Sequence, residues 1–140
     1  MMNAIYDSNN IFAKILRGEI PCAKVFEDDV ALAFMDIMPR AEGHTLVIPK
    51  VIARGLLDMP PDQLGPYMQR VQSVAAAVKK AMLADGLTIQ QFNEAAGGQV
   101  VFHLHFHILP RWDGVSLRPP GTMGDKAVLD ANAARIRAAL

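Results

Sequence analysis

Three histidines, His103, His105 and His107, stand at alternate positions in the run Val100-Val101-Phe102-His103-Leu104-His105-Phe106-His107-Ile108-Leu109-Pro110. They are three of only four in the chain. A period of two marks a strand with two unlike faces, so the pattern predicts a strand over 100–110. One face carries Phe102, Leu104, Phe106 and Ile108 into a core, and the other presents three imidazoles in a row. Such a row could serve a metal, because neutral imidazole is a common ligand. On a straight strand, however, the outer rings lie roughly 13 Å apart at ~3.3 Å per residue. That is too far for one ion with Zn–N bonds of ~2.0–2.1 Å. A pair helped by His44 could reach an ion. With no Cys pair and no second His cluster to complete the set, no metal is expected. The row suits anion chemistry better. A neutral ring can attack a phosphorus centre while a protonated neighbour holds a phosphate oxygen. Gly97-Gly98-Gln99, just upstream, lets backbone N–H groups approach an anion closely.

The remaining elements must position this row. Ser8 or Asn9 can cap a short helix starting near Asn10, with Ile11, Phe12, Ile15 and Leu16 at helical spacing and Gly18 as its stop. Strands are expected at Lys24–Phe26, Val30–Asp36 and Thr45–Ile48, joined by short connections that favour antiparallel pairing. On the second of these, Leu32, Phe34 and Asp36 share a face. Pro60-Pro61-Asp62 starts a long helix to Leu83, with Gly86 as its stop. Its apolar stripe includes Tyr67, Met68 and Val71. Thr88–Asn93 reads as a fourth strand and the histidine run as the fifth. Residues 112–124 read as irregular and Asp125–Leu140 as a terminal helix. The expected class is α+β, with about five mainly antiparallel strands, one long and one short helix, and a tail helix.

At 140 residues with zero formal net charge, the chain reads as one domain over 1–140, with its core at about 10–121 and an extension at 122–140. The charge balance gives no reason to expect a nucleic-acid polymer. No apolar stretch approaches the ~20 residues of a membrane span. The start, Met1 to Asp7, lacks the basic-then-apolar pattern of a leader. The lone Cys22 fits a reducing compartment. The expected location is the cytoplasm.

His103-Leu104-His105-Phe106-His107 followed by Ile108-Leu109 resembles the histidine triad motif. The segments Ile11 to Pro21, Phe26 to Asp29, Phe34 to Ile37, Gly43 to Lys50, Asn93-Glu94 and Gly97 to Gln99 resemble, in that order, the Hint branch of the HIT family. The resemblance spans roughly residues 10 to 121 and implies an enzyme acting at the α-phosphate of a nucleotidyl compound. It implies His105 as nucleophile, His107 as a donor to a phosphate oxygen, His103 as a support and His44 as a partner of the ring network. It also implies Asp36 at the ribose and a base pocket of Ile11, Phe12, Ile15, Phe34 and Ile37. Asn93 and the amides of Gln99, Val100 and Val101 would hold the phosphate. The expected ligand is a purine nucleotide such as AMP or an AMP conjugate. No cofactor is expected, and a homodimer is, joined through the long helix's stripe. The tail near Trp112 and Arg118 to Gly121 would cross toward the partner's site. The leading activity is nucleoside phosphoramidate hydrolysis. Dinucleoside polyphosphate hydrolysis (the Fhit branch) and nucleotide-dependent regulation with little turnover are the alternatives.

Two departures stand out. Positions where some bacterial relatives carry a zinc-binding Cys-x-x-Cys hold Asn10 and Ala13, and Ile52 replaces the His after Pro-Lys. Val100 stands where many Hint-branch members carry a hydroxyl that assists the leaving group. Val100→Ser is therefore expected to raise steady-state turnover of a substrate with a poor leaving group, and an unchanged rate would remove this role from the position.

Overall fold

The computed structural model describes residues 5–140; residues 1–4, part of the stretch in which no leader was expected, lie outside the described residues. In chain order the elements are α1 (Ile11–Leu16), β1 (Lys24–Glu27), β2 (Ala31–Met35), β3 (Thr45–Pro49), α2 (Pro61–Ala81), β4 (Gly86–Gln90), β5 (Phe106–Arg111) and α3 (Lys126–Ala138). The strands form one sheet in the order β1-β2-β3-β5-β4, with every neighbouring pair antiparallel. The α+β class and the strand number match the expectation. No helix among the described residues is long and apolar enough to cross a membrane.

The sheet is covered on both faces, and strand parity sorts its side chains. Ala31, Ala33, Met35 and Val47 pack on one side with Tyr67, Val71, Val74 and Val78 of α2 and with Leu129, Ala133 and Ile136 of α3. Leu32, Phe34, Leu46 and Ile48 pack on the other with Phe12 of α1. β2 and β3 are consequently buried along their whole length. α3 joins the same core as α2, so the segment 122–140 is not an appendage to it.

Four expectations need correction. The histidine run is a strand only from Phe106 onward. Val47 pairs with Phe106, the last rung between β3 and β5 on that side. Pro49 ends β3 and has no N–H to extend the ladder. The segment before Phe106 leaves the sheet, with Leu104 N donating to Ala53 O at 2.8 Å. Leu104 and Ile108 are buried as expected, whereas Phe102 lies under the Arg54 guanidinium, 4.3 Å from its ring centroid. Of the stripe expected to form a dimer contact, Tyr67 and Val71 are internal, 0% and 1% exposed beneath the sheet, and only Met68 is partly exposed. The cap of α1 is Asn10, whose Oδ1 accepts from Ala13 N at 2.9 Å, rather than Ser8 or Asn9. Finally, Gly86 opens β4 instead of stopping α2, and Leu83 makes the left-handed turn at φ 51°.

Tyr67 ties α2 to the sheet by donating to Val47 O at 2.7 Å. Tyr67→Phe keeps the ring and removes that bond. Urea unfolding is expected to show a loss of about 1 kcal/mol with an unchanged m-value.

Candidate active site

A pocket of about 450 Å³ opens on the α1 side of the sheet. α1 supplies Ile11, Phe12 and Ile15, and β2 with the turn after it supplies Phe34, Asp36 and Ile37. His44, Val100, Val101, His105 and His107 complete the part expected from sequence. Parity explains this grouping. Phe34 and Leu46 point away from α2, and His107 pairs with Leu46 across the ladder and shares its face. Val100 stands at the mouth, 83% exposed. Gly98 of the glycine loop and Pro120 and Gly121 of the tail also line the pocket, together with Cys22, Arg40 and Phe92, which were not singled out as site residues. Phe92, beside Asn93, carried the only local hint.

Three expected residues stand behind the pocket rather than in its lining. The His103 ring is fully buried. The Asn93 amide bridges two loops: Oδ1 accepts from Leu56 N at 2.8 Å, and Nδ2 donates to Gln91 Oε1 at 2.8 Å. Gln99 braces its own loop, accepting from Glu94 N at 2.7 Å and donating to Arg54 O and Val101 O at 2.7 and 3.0 Å. Arg54 in turn grips Glu94 through two nitrogens at 2.8 and 2.9 Å. Glu94 and Gly98 adopt φ values of 63° and 98° to make this turn. Such a conformation is natural for glycine and strained for glutamate. The N–H groups of Val100 and Val101 have no protein acceptor among the described residues. They are left free at the pocket wall, as an anion-binding loop requires.

The hydrogen bonds assign the ring protons, because a carbonyl can only accept and a backbone N–H can only donate. His105 Nδ1 lies 2.7 Å from His103 O, so Nδ1 carries the proton and the Nε2 lone pair is free. No buried side-chain nitrogen or oxygen among the described residues lacks a partner. Nε2, which has none, therefore opens to the pocket. A second line of bonds ends at His107. Arg40 N donates to His44 Nδ1 at 3.1 Å, leaving the His44 proton on Nε2. That nitrogen lies 2.9 Å from His107 Nδ1, which must accept, so His107 keeps its proton on Nε2. The rings of His105 and His107 are 4.9 Å apart, and Phe12 meets His105 edge-on at 4.9 Å. The site thus holds a free lone pair beside a ring N–H.

Burial keeps these rings neutral. Desolvation, aided by the neighbouring His107 and Arg40, lowers the His44 pKa to about 3. Desolvation also brings His103 to about 4, against the bond to Pro49 O that raises it. His107 falls to about 4 through desolvation and then the charges of His105 and Arg40. His105 is lowered by burial and partly restored by its bond to His103 O. Burial pushes the Asp36 carboxyl up, while the Met38 N–H pulls it down. Asp36 Oδ2 lies 3.4 Å from His44 Nε2, but a neutral imidazole makes this a polar contact rather than an ion pair.

Asp36, His44 and His107 each place a potential ligand atom within 4.8 Å of the others. This trio differs from the row that strand spacing argued against. The His44–His107 bond and the nearby Arg40 charge engage the same atoms in a hydrogen-bonded relay. The tail lies against its own chain's pocket rather than reaching away from it. Arg118 N donates to Arg40 O at 2.7 Å, Arg40 Nε donates to Arg118 O at 3.0 Å, and Gly124 N donates to Ile37 O at 2.7 Å.

The chain is similar in sequence and fold to known proteins. The family described as HIT domain matches residues 17–114. An Arabidopsis thaliana protein named adenylylsulfatase HINT3 is 39% identical over 122 residues, covering 83% of this chain and 62% of that protein. The adenosine 5'-monophosphoramidase HNT1 of Saccharomyces cerevisiae is 38% identical over 110 residues, 79% of this chain and 67% of the yeast protein. A crystal structure of a Hit-like protein from Bartonella henselae superposes with a TM-score of 0.93 at 57% identity, covering 96% of this chain and 98% of that one.

Neutral burial has a consequence for stability. In the unfolded chain these histidines titrate near about 6.5, whereas folding holds His44, His103 and His107 at about 3 to 4. Below about pH 6.5 the unfolded state binds the extra protons, so stability is complete above that value and is lost as pH falls toward about 4. Denaturant titrations from pH 8 down to pH 5 are expected to lose on the order of a few kcal/mol, and a flat profile would contradict neutral rings.

Proposed function

This chain belongs to the HIT family, and we propose that it binds a purine nucleotide and hydrolyses a bond at the α-phosphate through His105. The observation that carries this is the His105 ring: Nδ1–H is held by the His103 carbonyl, and Nε2 is open to the pocket. A lone pair so fixed attacks phosphorus, forming a P–N bond as the bond to the leaving group breaks and that group departs with the electron pair. Water then attacks the nucleotidyl-imidazole and returns Nε2 to its starting state. Two easier displacements replace one difficult one. The N–H groups of Val100 and Val101 and the His107 Nε2–H donate to the non-bridging oxygens, where negative charge develops.

The apolar wall of Ile11, Phe12, Ile15, Phe34 and Ile37 receives the base. Asp36, with Oδ1 held by Met38 N at 2.8 Å, offers its remaining lone pairs to the ribose hydroxyls. His44 relays orientation from Arg40 N to His107. Asn93 supports the phosphate loop from behind, and no resident metal or cofactor enters the scheme. The two named relatives act, by their names, on AMP linked to sulfate and to an amine. AMP conjugates of this kind are the proposed substrates, in the cytoplasm, with diadenosine polyphosphates as the second substrate class. A homodimer is part of the proposal, and its contact must use surface other than the buried Tyr67 and Val71.

Steady-state hydrolysis of adenosine 5'-phosphoramidate, adenylyl sulfate and a diadenosine polyphosphate discriminates these readings. The native chain is expected to turn over the first two best, and His105→Ala to lose about 10³-fold or more in kcat while still binding AMP. A native chain that binds AMP and turns over none of the three would be a nucleotide-binding regulator instead.

A further inference from the structure

His103 is the one triad histidine whose ring stays out of the pocket, yet both its ring nitrogens are engaged. Nε2 lies 2.9 Å from Pro49 O. A carbonyl only accepts, so Nε2 carries the proton and Nδ1 is a bare lone pair in the interior. One group reaches it: the Tyr6 hydroxyl, 2.6 Å from Nδ1, with its ring meeting the imidazole edge-on at 5.6 Å. The hydroxyl must donate. Tyr6 lies upstream of the stretch matched by the family, which begins at residue 17. It is held there by its own anchor, since Arg54 Nη1 donates to Ile5 O at 3.1 Å while the same guanidinium grips Glu94 of the phosphate loop.

We propose that Tyr6 is a positioning residue: its hydroxyl, bonded to His103 Nδ1, locks residue 103 in place so that the adjacent carbonyl aims the His105 ring. The chain of contacts is short. Tyr6 O–H fixes the His103 ring, the ring fixes residue 103 against Pro49, and His103 O receives His105 Nδ1–H at 2.7 Å. Without the hydroxyl, the buried Nδ1 has no donor. The ring then turns to find one, which breaks the bond to Pro49 O. The carbonyl that orients the nucleophile moves with it. Displacement of a reacting group affects the chemical step more than ground-state binding of the nucleotide, whose contacts lie elsewhere in the pocket.

The proposal rests on His105 being the nucleophile, and the test separates the two. Tyr6→Phe keeps the ring packing and removes only the hydroxyl, and Tyr6→Leu removes both. With adenosine 5'-phosphoramidate, Tyr6→Phe is expected to lower kcat about tenfold with KM within about twofold of native, and Tyr6→Leu to lower kcat at least as far. Nitrogen-15 NMR of the imidazoles is expected to show native His103 as a single Nε2–H tautomer with a hydrogen-bonded Nδ1, and Tyr6→Phe to shift the Nδ1 resonance as that bond is lost. Thermal unfolding of each variant, read beside kcat, separates lost stability from lost alignment. A kcat for Tyr6→Phe within about twofold of native, or equal losses in binding and turnover, would overturn the proposal. A native His103 protonated on Nδ1 would overturn it too. If the native chain turns over no nucleotidyl substrate, the proposed function fails, and the NMR arm still decides whether the Tyr6 hydroxyl bonds His103 Nδ1.

Discussion

A buried imidazole that must stay neutral needs a donor for one nitrogen and an acceptor for the other, and the site is organised around this requirement. Desolvation disfavours the charged ring strongly, and an unmatched nitrogen costs nearly as much as a lost hydrogen bond. The chain meets the demand with atoms whose roles are fixed by covalent structure. Backbone carbonyls of Pro49 and His103 can only accept, and the backbone N–H of Arg40 can only donate. Every ring tautomer follows from these three groups. Two nitrogens, on His105 and His107, are left over, and both belong to rings that line the pocket.

The same requirement explains why the histidine segment is not a strand along its length. A regular ladder would engage the carbonyl of residue 103 and the N–H groups of Val100 and Val101 in neighbouring strands. By leaving the sheet before Phe106, the chain frees that carbonyl for His105 and those N–H groups for the pocket. Pro49 is well placed for this, because its missing N–H would interrupt the ladder and its carbonyl is available to His103. The irregular backbone is compensated by side chains: Gln99 and Asn93 take up loop N–H and C=O groups, and Arg54 pins Glu94 in its strained turn.

The sheet's two faces divide the labour. α2 and α3 bury one face in a conventional apolar core, which supplies most of the hydrophobic stabilisation. The thinner layer under α1 leaves room for a pocket that is mostly hydrocarbon, with one carboxyl, two usable ring nitrogens and free N–H groups at its wall. A cavity of this composition suits the proposed nucleotide, with apolar contact for a planar base and electrostatics concentrated at one end. Val100, exposed at that end without a hydroxyl, would offer only its backbone to the proposed leaving group.

The sequence by itself determined a good deal. Turn residues and alternation placed five strands in an antiparallel α+β arrangement. The parity of Leu32 with Phe34, and of Ile108 against His107, settled which side chains of regular strand share a face, because a period of two needs only local information; the rule failed at His103, where the chain has left the sheet. His105 and its neighbours, Asp36 and the apolar slot were legible as one constellation once the Gly-Gly-Gln loop was added. Contacts between residues far apart in the chain decided the rest. Nothing local to Tyr6 announces that it meets His103, and nothing near Pro49 says that its carbonyl orients a triad ring. Asn93 reads as a phosphate ligand but braces a loop, because Leu56 N arrives at its Oδ1 from far along the chain while the nearby Gln91 takes its Nδ2. The apolar stripe of α2 reads equally as interface or core, since periodicity gives the direction of a face and not what covers it. Only the packing of β3 over Tyr67, and of α3 beside it, placed that face inside.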